Sequence, residues 1–212
     1  MKAIQEEMIG EEFQVRLNSG VRDFSIKSDL DYYPSPSHHI KTGLRHTYHQ
    51  LTPNIVSATN GEVEFKSNLT KKFAHESELY LSDDWKLNSG LSVNYGLRLS
   101  AFVFLGPYKS SLQNIDFEKG QIVKTYFVPE PRFVFNKKLD KNSSLKGGFT
   151  LASQYLHLVS NSGSTLPTDI WVPSTELVKP QIGLQYALGY FRNLFSDQIE
   201  FSIETYFKDL RN

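Results

Sequence analysis

The chain has 212 residues, a formal net charge of zero and no cysteine. Balanced charge removes the basic excess that phosphate binding needs, so no nucleic-acid partner is expected, and the absence of thiols removes disulfides, zinc–thiolate sites and cysteine nucleophiles. The densest apolar run, Ala101 to Leu105, falls far short of the roughly 20 residues of a membrane helix; that excludes helical spans but not strands, which are apolar only at alternate positions.

In chain order, the first residues carry one lysine, then acids, and no apolar core, so they do not read as a signal peptide. From Phe24 onward the dominant period is two. Phe24, Ile26, Leu30 and Tyr32 alternate with Asp23, Ser25, Lys27, Asp29 and Asp31, and Ile40, Thr42, Leu44 and His46 alternate with Lys41, Gly43 and Arg45. Leu79, Leu81, Trp85 and Leu87 form a third run, and Leu91, Val93, Tyr95, Leu97, Leu99, Ala101 and Val103 the longest. Shorter runs follow at Phe133–Phe135, at Leu145, Phe149, Leu151 and Tyr155, and at Ile182, Leu184, Tyr186, Leu188 and Tyr190. The last run places Ile199, Phe201, Ile203, Thr205 and Phe207 on one face and Glu200, Ser202, Glu204 and Lys208 on the other. About eight strands result, each with one apolar and one polar surface.

The connections alternate in length. Short turns are expected at Pro34–Pro36, Asn88–Gly90, Asp140–Asn142 and Asn193–Asp197, and long polar segments at Gln50–His75, Gly106–Pro129 and Ser160–Pro180. Several runs last about 10 to 14 residues, against the usual 5–6 of soluble strands, and a tilted membrane strand needs about 9–11. Short turns at one end and long loops at the other are the layout of outer-membrane barrels. Tyr32, Trp85 and Tyr190 fall near the short turns, where an aromatic girdle would sit. On the face expected to meet lipid the only charged exceptions among these runs are Asp83 and Arg192, both close to a short turn, where the cost of a charge falls towards zero. The fold class is therefore all-β: an antiparallel transmembrane β-barrel segment of about eight strands, with short periplasmic turns and long extracellular loops.

Glu78-Leu79-Tyr80-Leu81-Ser82-Asp83-Asp84-Trp85-Lys86-Leu87, followed by Val93-Asn94-Tyr95-Gly96-Leu97-Arg98, resembles the "Y-x-x-D-x-W … N-x-G-L-R" strand pair of TonB-dependent receptor barrels. Pro129-Glu130-Pro131-Arg132 with Ser143-Ser144-Leu145-Lys146 is similar to the family's "P-R … S-x-K" hairpin. Gln154 to Leu158, Trp171 to Ser174, Lys179 to Gln181, Tyr190 to Asn193 and the segments Glu200–Glu204 and Tyr206–Leu210 resemble the Bacteroidota-type branch. The resemblance implies a barrel of about 22 strands plugged by an N-terminal domain and energised through TonB. On that reading residues 1–212 are an internal part of such a barrel, in the outer membrane of a Gram-negative cell, with signal peptide, plug and closing strands lying outside it. Outer-membrane lipid, the TonB complex acting through the plug, a scarce small-molecule or oligomeric ligand and a surface lipoprotein are the implied partners.

His38, His39, His46 and His49 invite a metal reading, but strand parity sets His39 opposite His38 and His46, His49 lies where a loop is expected to begin, and no metal-ligand spacing is present. No Gly-x-Ser-x-Gly and no phosphate-binding glycine motif occurs; neither an enzyme nor a cofactor is expected, and Gly147-Gly148 reads as a kink or close packing in the wall. Candidate ligand contacts are Tyr155, His157 and Trp171, around the Ser160–Pro180 loop. Arg45, Glu78, Arg98, Lys146, Glu200 and Glu204 are expected to line the lumen, acting by electrostatics. The alternatives are a self-contained eight-stranded barrel serving as adhesin or rim enzyme, and a soluble carbohydrate-binding β-barrel.

Overall fold

The structure, a computed structural model, describes residues 2–8, 13–60, 63–66, 70–159 and 170–212, with side chains for residues 19–53, 70–159 and 170–212. Its strands are β1 (Lys2–Met8), β2 (Phe13–Ser35), β3 (His38–Asn60), β4 (Val63–Lys66), β5 (Lys72–Asn88), β6 (Leu91–Leu105), β7 (Tyr108–Ser110), β8 (Ile115–Phe117), β9 (Ile122–Lys138), β10 (Ser143–Gln154), β11 (Leu156–Val159), β12 (Ile170–Pro173), β13 (Gln181–Leu194) and β14 (Ile199–Arg211). No helix occurs among the described residues. One antiparallel sheet runs in the order β1-β2-β3-β5-β6-β9-β10-β13-β14, with β4 on β3. β7–β8 and β11–β12 are separate two-stranded hairpins. The eight long strands are those expected, joined as a meander. Among the described residues no ladder links β14 to β1, so the sheet is open.

All four short turns lie at one end of the meander: Pro36–Ser37, Ser89–Gly90, Leu139–Asn142 and Phe195–Gln198. They are staggered. The cross-strand row through His38 runs by Trp85, Val93, Phe135 and Gly147 to Leu188, yet the last turn begins only after Leu194. A register that slips steadily from strand to strand is what tilted barrel strands require.

The same registers place the alternating apolar residues on one continuous face. One row reads Leu30, Thr42, Leu81, Leu97 and Pro131, and the next towards the turns reads Tyr32, Ile40, Asp83, Tyr95, Phe133, Phe149, Tyr186 and Phe207. These side chains are not packed against protein: Ile26 is 67% exposed, Leu30 62% and Phe207 64%. A water-soluble monomer rarely shows a contiguous apolar patch beyond a few hundred Å². Tyr32, Trp85 and Tyr190 lie on this face near the turns, as expected, and at its other margin Tyr48 stacks between Phe24 and Phe73. The charge exception Asp83 is 7% exposed and accepts hydrogen bonds from His38 Nδ1 at 2.7 Å and the Tyr95 hydroxyl at 3.1 Å.

Two of the long connections are shorter than expected. The segment from Gln50 continues β3 to Asn60, and Pro53, which cannot donate to a ladder, sits in the register shift between the Asn18–Ile55 and Gly20–Thr52 pairs. Ile122–Pro129 belongs to β9, not to a loop. Period two fades there because Val123, Tyr126 and Val128 pack inward beneath the loops while Phe127 faces outward. His49 is correspondingly inside β3 and not at a loop entrance.

Glycines mark close cross-strand approaches. A Cβ on Gly43 would come within 2.5 Å of the Ser28 carbonyl oxygen and 2.6 Å of the Tyr80 hydroxyl, which folds over it to reach Asp29. Gly43→Val is therefore expected to destabilise the β2–β3–β5 wall by about 1–3 kcal/mol, read as a lower urea midpoint in detergent. At Gly147 a Cβ would meet the Phe135 ring at 2.6 Å, so close packing explains the Gly147-Gly148 pair.

Candidate functional site

The polar face is a ladder of hydrogen-bonded charges. Towards the long-loop end His49, 5% exposed, lies between Asp23 (Nδ1 to Oδ1, 2.8 Å) and Glu76 (Nε2 to Oε2, 3.2 Å). The register sets Arg45 directly opposite Glu78. Arg98 lies 3.6 Å from Glu78 and 3.7 Å from Glu130. Glu130 is 7% exposed and accepts from Ser100 Oγ at 2.9 Å, from the Ser153 amide at 3.3 Å and from the Ser153 hydroxyl. Nearer the short turns Lys146 stands 4.4 Å over the Phe191 ring, in a row with Gly189 and Glu204, and Glu200 pairs with Asn193. All six side chains expected to line the lumen thus share this face. Glu130, Ser100, His49, Asp23 and Glu76 complete the network and are not among the six lumen residues expected from sequence; Glu130 shares the strand parity of Arg132, a signal hidden between Pro129 and Pro131.

At the long-loop end the same face turns apolar. Ala74, Phe102, Phe104, Val123 and Tyr155 form its buried cluster, with Tyr108, Phe117, Tyr126, Val128 and Leu156 packed around it. The β11–β12 hairpin crosses over this face far enough to approach β3 and β2. This explains the Ala101–Leu105 run: alternate residues face outward, while Phe102 and Phe104 fill the space under the loops.

The three candidate ligand contacts are placed differently from one another. Strand parity groups Tyr155 with the outward residues Leu145, Phe149 and Leu151, but β10 loses its pairing with β9 after Thr150. Beyond that point the ring lands on the polar-face side, stacked on Phe102 at 4.8 Å with its hydroxyl 2.7 Å from Ser100 Oγ. At 2% exposure it supports the hairpin from below. His157 is half-buried, with Nε2 3.2 Å from Ser174 Oγ. Trp171 pairs with Leu158 across the hairpin, and both are exposed. Residues 160–169 of the expected ligand loop lie outside the described residues.

Burial pushes the His157 imidazole below its usual value. A histidine whose folded value is depressed supports the fold fully above the unfolded value of about 6.5 and loses that support as pH falls through it. Protection factors against hydrogen exchange at residues 156–159 are therefore expected to fall between pH 7.5 and 5.5, and His157→Gln to flatten the change; identical protection profiles would contradict it.

The ordered polar wall, the uncovered apolar face, the staggered short turns and the loop-capped end together describe a membrane barrel wall. Comparison with protein families matches residues 57–193 to the outer membrane beta barrel domain, a span of well over half the chain. The chain belongs to that family. Searches of curated proteins and of solved structures returned no match. As an outer-membrane barrel protein it turns its apolar face to lipid, its short turns to the periplasm and its hairpins outward. The polar ladder is then the inner wall, and the β11–β12 hairpin folds over the barrel's external mouth.

Proposed function

We propose that this wall belongs to a TonB-dependent receptor that imports a scarce ligand across the outer membrane, and that residues 1–212 are a part of its barrel domain. The observation that carries the reading is the open, staggered sheet: an eight-stranded self-contained barrel needs a ladder between β14 and the first strands, and the described residues have none. The resemblance of the strand-pair motifs around Trp85 and Arg98 to TonB-dependent receptor barrels supports that type within the barrel family. External hairpins, with Trp171 and Leu158 exposed on them, make the first contact with ligand. Traction by TonB on a plug then opens a path along the inner wall, where Arg45, Glu78, Arg98, Lys146, Glu200 and Glu204 act by electrostatics and not by chemistry. A surface lipoprotein lid is compatible with the exposed hairpin.

A strain lacking this protein and a strain lacking TonB are expected to lose growth on the same limiting nutrient. A nutrient whose use needs this protein but not TonB would overturn the transport reading, leaving an adhesin or passive barrel.

A further inference from the structure

The lipid-facing surface carries a histidine pair that the inner-wall network does not use. His46 on β3 and His75 on β5 are diagonal neighbours, because His46 stands opposite Ser77 and Tyr48 opposite His75. Their rings stack at 5.1 Å and 26°, and His46 Nε2 lies 3.2 Å from His75 Nδ1. His46 Nδ1 lies 2.9 Å from the Ser77 hydroxyl. Tyr48 packs on His75 with ring centroids 5.0 Å apart, at the outer margin of the apolar face.

We propose that His46 and His75 together bind one divalent transition-metal ion of the zinc, copper and nickel class at the external edge of the lipid-facing wall. Two imidazole nitrogens about 2.0–2.1 Å from a tetrahedral zinc ion stand about 3.3 Å apart, so the observed separation already matches the bite. In the tautomer whose Nδ1–H donates to the Ser77 Oγ, the His46 Nε2 is a lone-pair donor beside its neighbour. Without metal, the His75 Nδ1–H bridges the gap by donating to His46 Nε2. The ion takes the place of that proton, which moves through water to His75 Nε2, so the ring binds as a neutral imidazole.

Both ligands rise from adjacent strands of one ladder, so little ordering is required on binding. Glu76 and His49 belong to the opposite face, and among the described residues no group of three or more His, Asp or Glu side chains is arranged to hold a metal. The remaining positions therefore go to water. A pure imidazole donor set selects against magnesium and calcium, which prefer oxygen.

The test is a calorimetric titration of the purified full protein in detergent at pH 7.5 with zinc chloride, and separately with magnesium chloride. One zinc ion per chain is expected, with no saturable magnesium binding. His46→Gln and His75→Gln should each weaken zinc at least tenfold, and Ser77→Ala by about tenfold, while His157→Gln leaves it unchanged. Circular dichroism checks that each variant keeps its strand content. Copper(II) spin resonance adds an independent readout: two coordinating ring nitrogens in the parent and fewer in either glutamine variant. Unchanged zinc affinity in both glutamine variants, or no saturable zinc binding by the parent up to millimolar concentration, would overturn the proposal.

Discussion

Phe102→Ala is expected to cost about 3–5 kcal/mol, the range for emptying a fully buried aromatic site. Phe102 has no exposed surface. Its ring lies on Tyr155 within 5° of parallel and within 6.5 Å of the His49 ring, so it joins the β11–β12 support to the Asp23–His49–Glu76 group. The remaining neighbours are held by strand ladders and cannot collapse into the gap. Urea unfolding in detergent measures the loss, and protease sensitivity around residues 156–173 should rise with it. Phe24→Ala makes the control: that ring is 58% exposed on the lipid-facing side and leaves no enclosed cavity. Equal losses for the two variants would mean that the loops do not rest on this cluster.

Leu97→Arg is expected to cost about 2–4 kcal/mol of stability in a bilayer, the penalty for a cation near the middle of the lipid-facing wall. Leu97 shares its cross-strand row with Leu81 and Pro131 and is 43% exposed. The adjacent Arg98 points to the other side, towards Glu78 and Glu130. Arg98→Leu should therefore leave bilayer insertion intact while removing the cation between those two carboxylates. Refolding into lipid vesicles, scored by strand content and by the protein retained in the membrane fraction, separates the two. A harmless Leu97→Arg would reverse the assignment of faces, because one step along a strand exchanges lipid for lumen.

The inner wall was partly legible in the residue pattern and partly not, for a reason visible at Arg98. Parity alone assigns Arg45, Glu78, Arg98, Lys146, Glu200 and Glu204 to one face, since successive strand side chains alternate sides. It does not say which of them meet. Arg98 reaches both Glu78 and Glu130 only because β6 lies between β5 and β9 in a particular register, and Ser153 joins Glu130 only because β10 leaves β9 after Thr150. Tyr155 shows the limit most clearly: its strand parity pointed outward, but the departure of β10 carried it onto Phe102.

The sequence by itself determined the all-β class, the eight long strands, the end at which the short turns gather and which residues share the apolar face. Each of these depends on a local rule, either the two-residue period of a strand or the turn chemistry between strands, and local rules are written in neighbouring residues. Only the tertiary structure decided where the strands really end, how far the register slips from hairpin to hairpin, and which loops fold inward. Those features arise from contacts between residues far apart in the chain. Near the external mouth, where lipid covers one side of the wall and hairpins cover the other, both faces are apolar; the alternation that made the strands legible disappears for that reason.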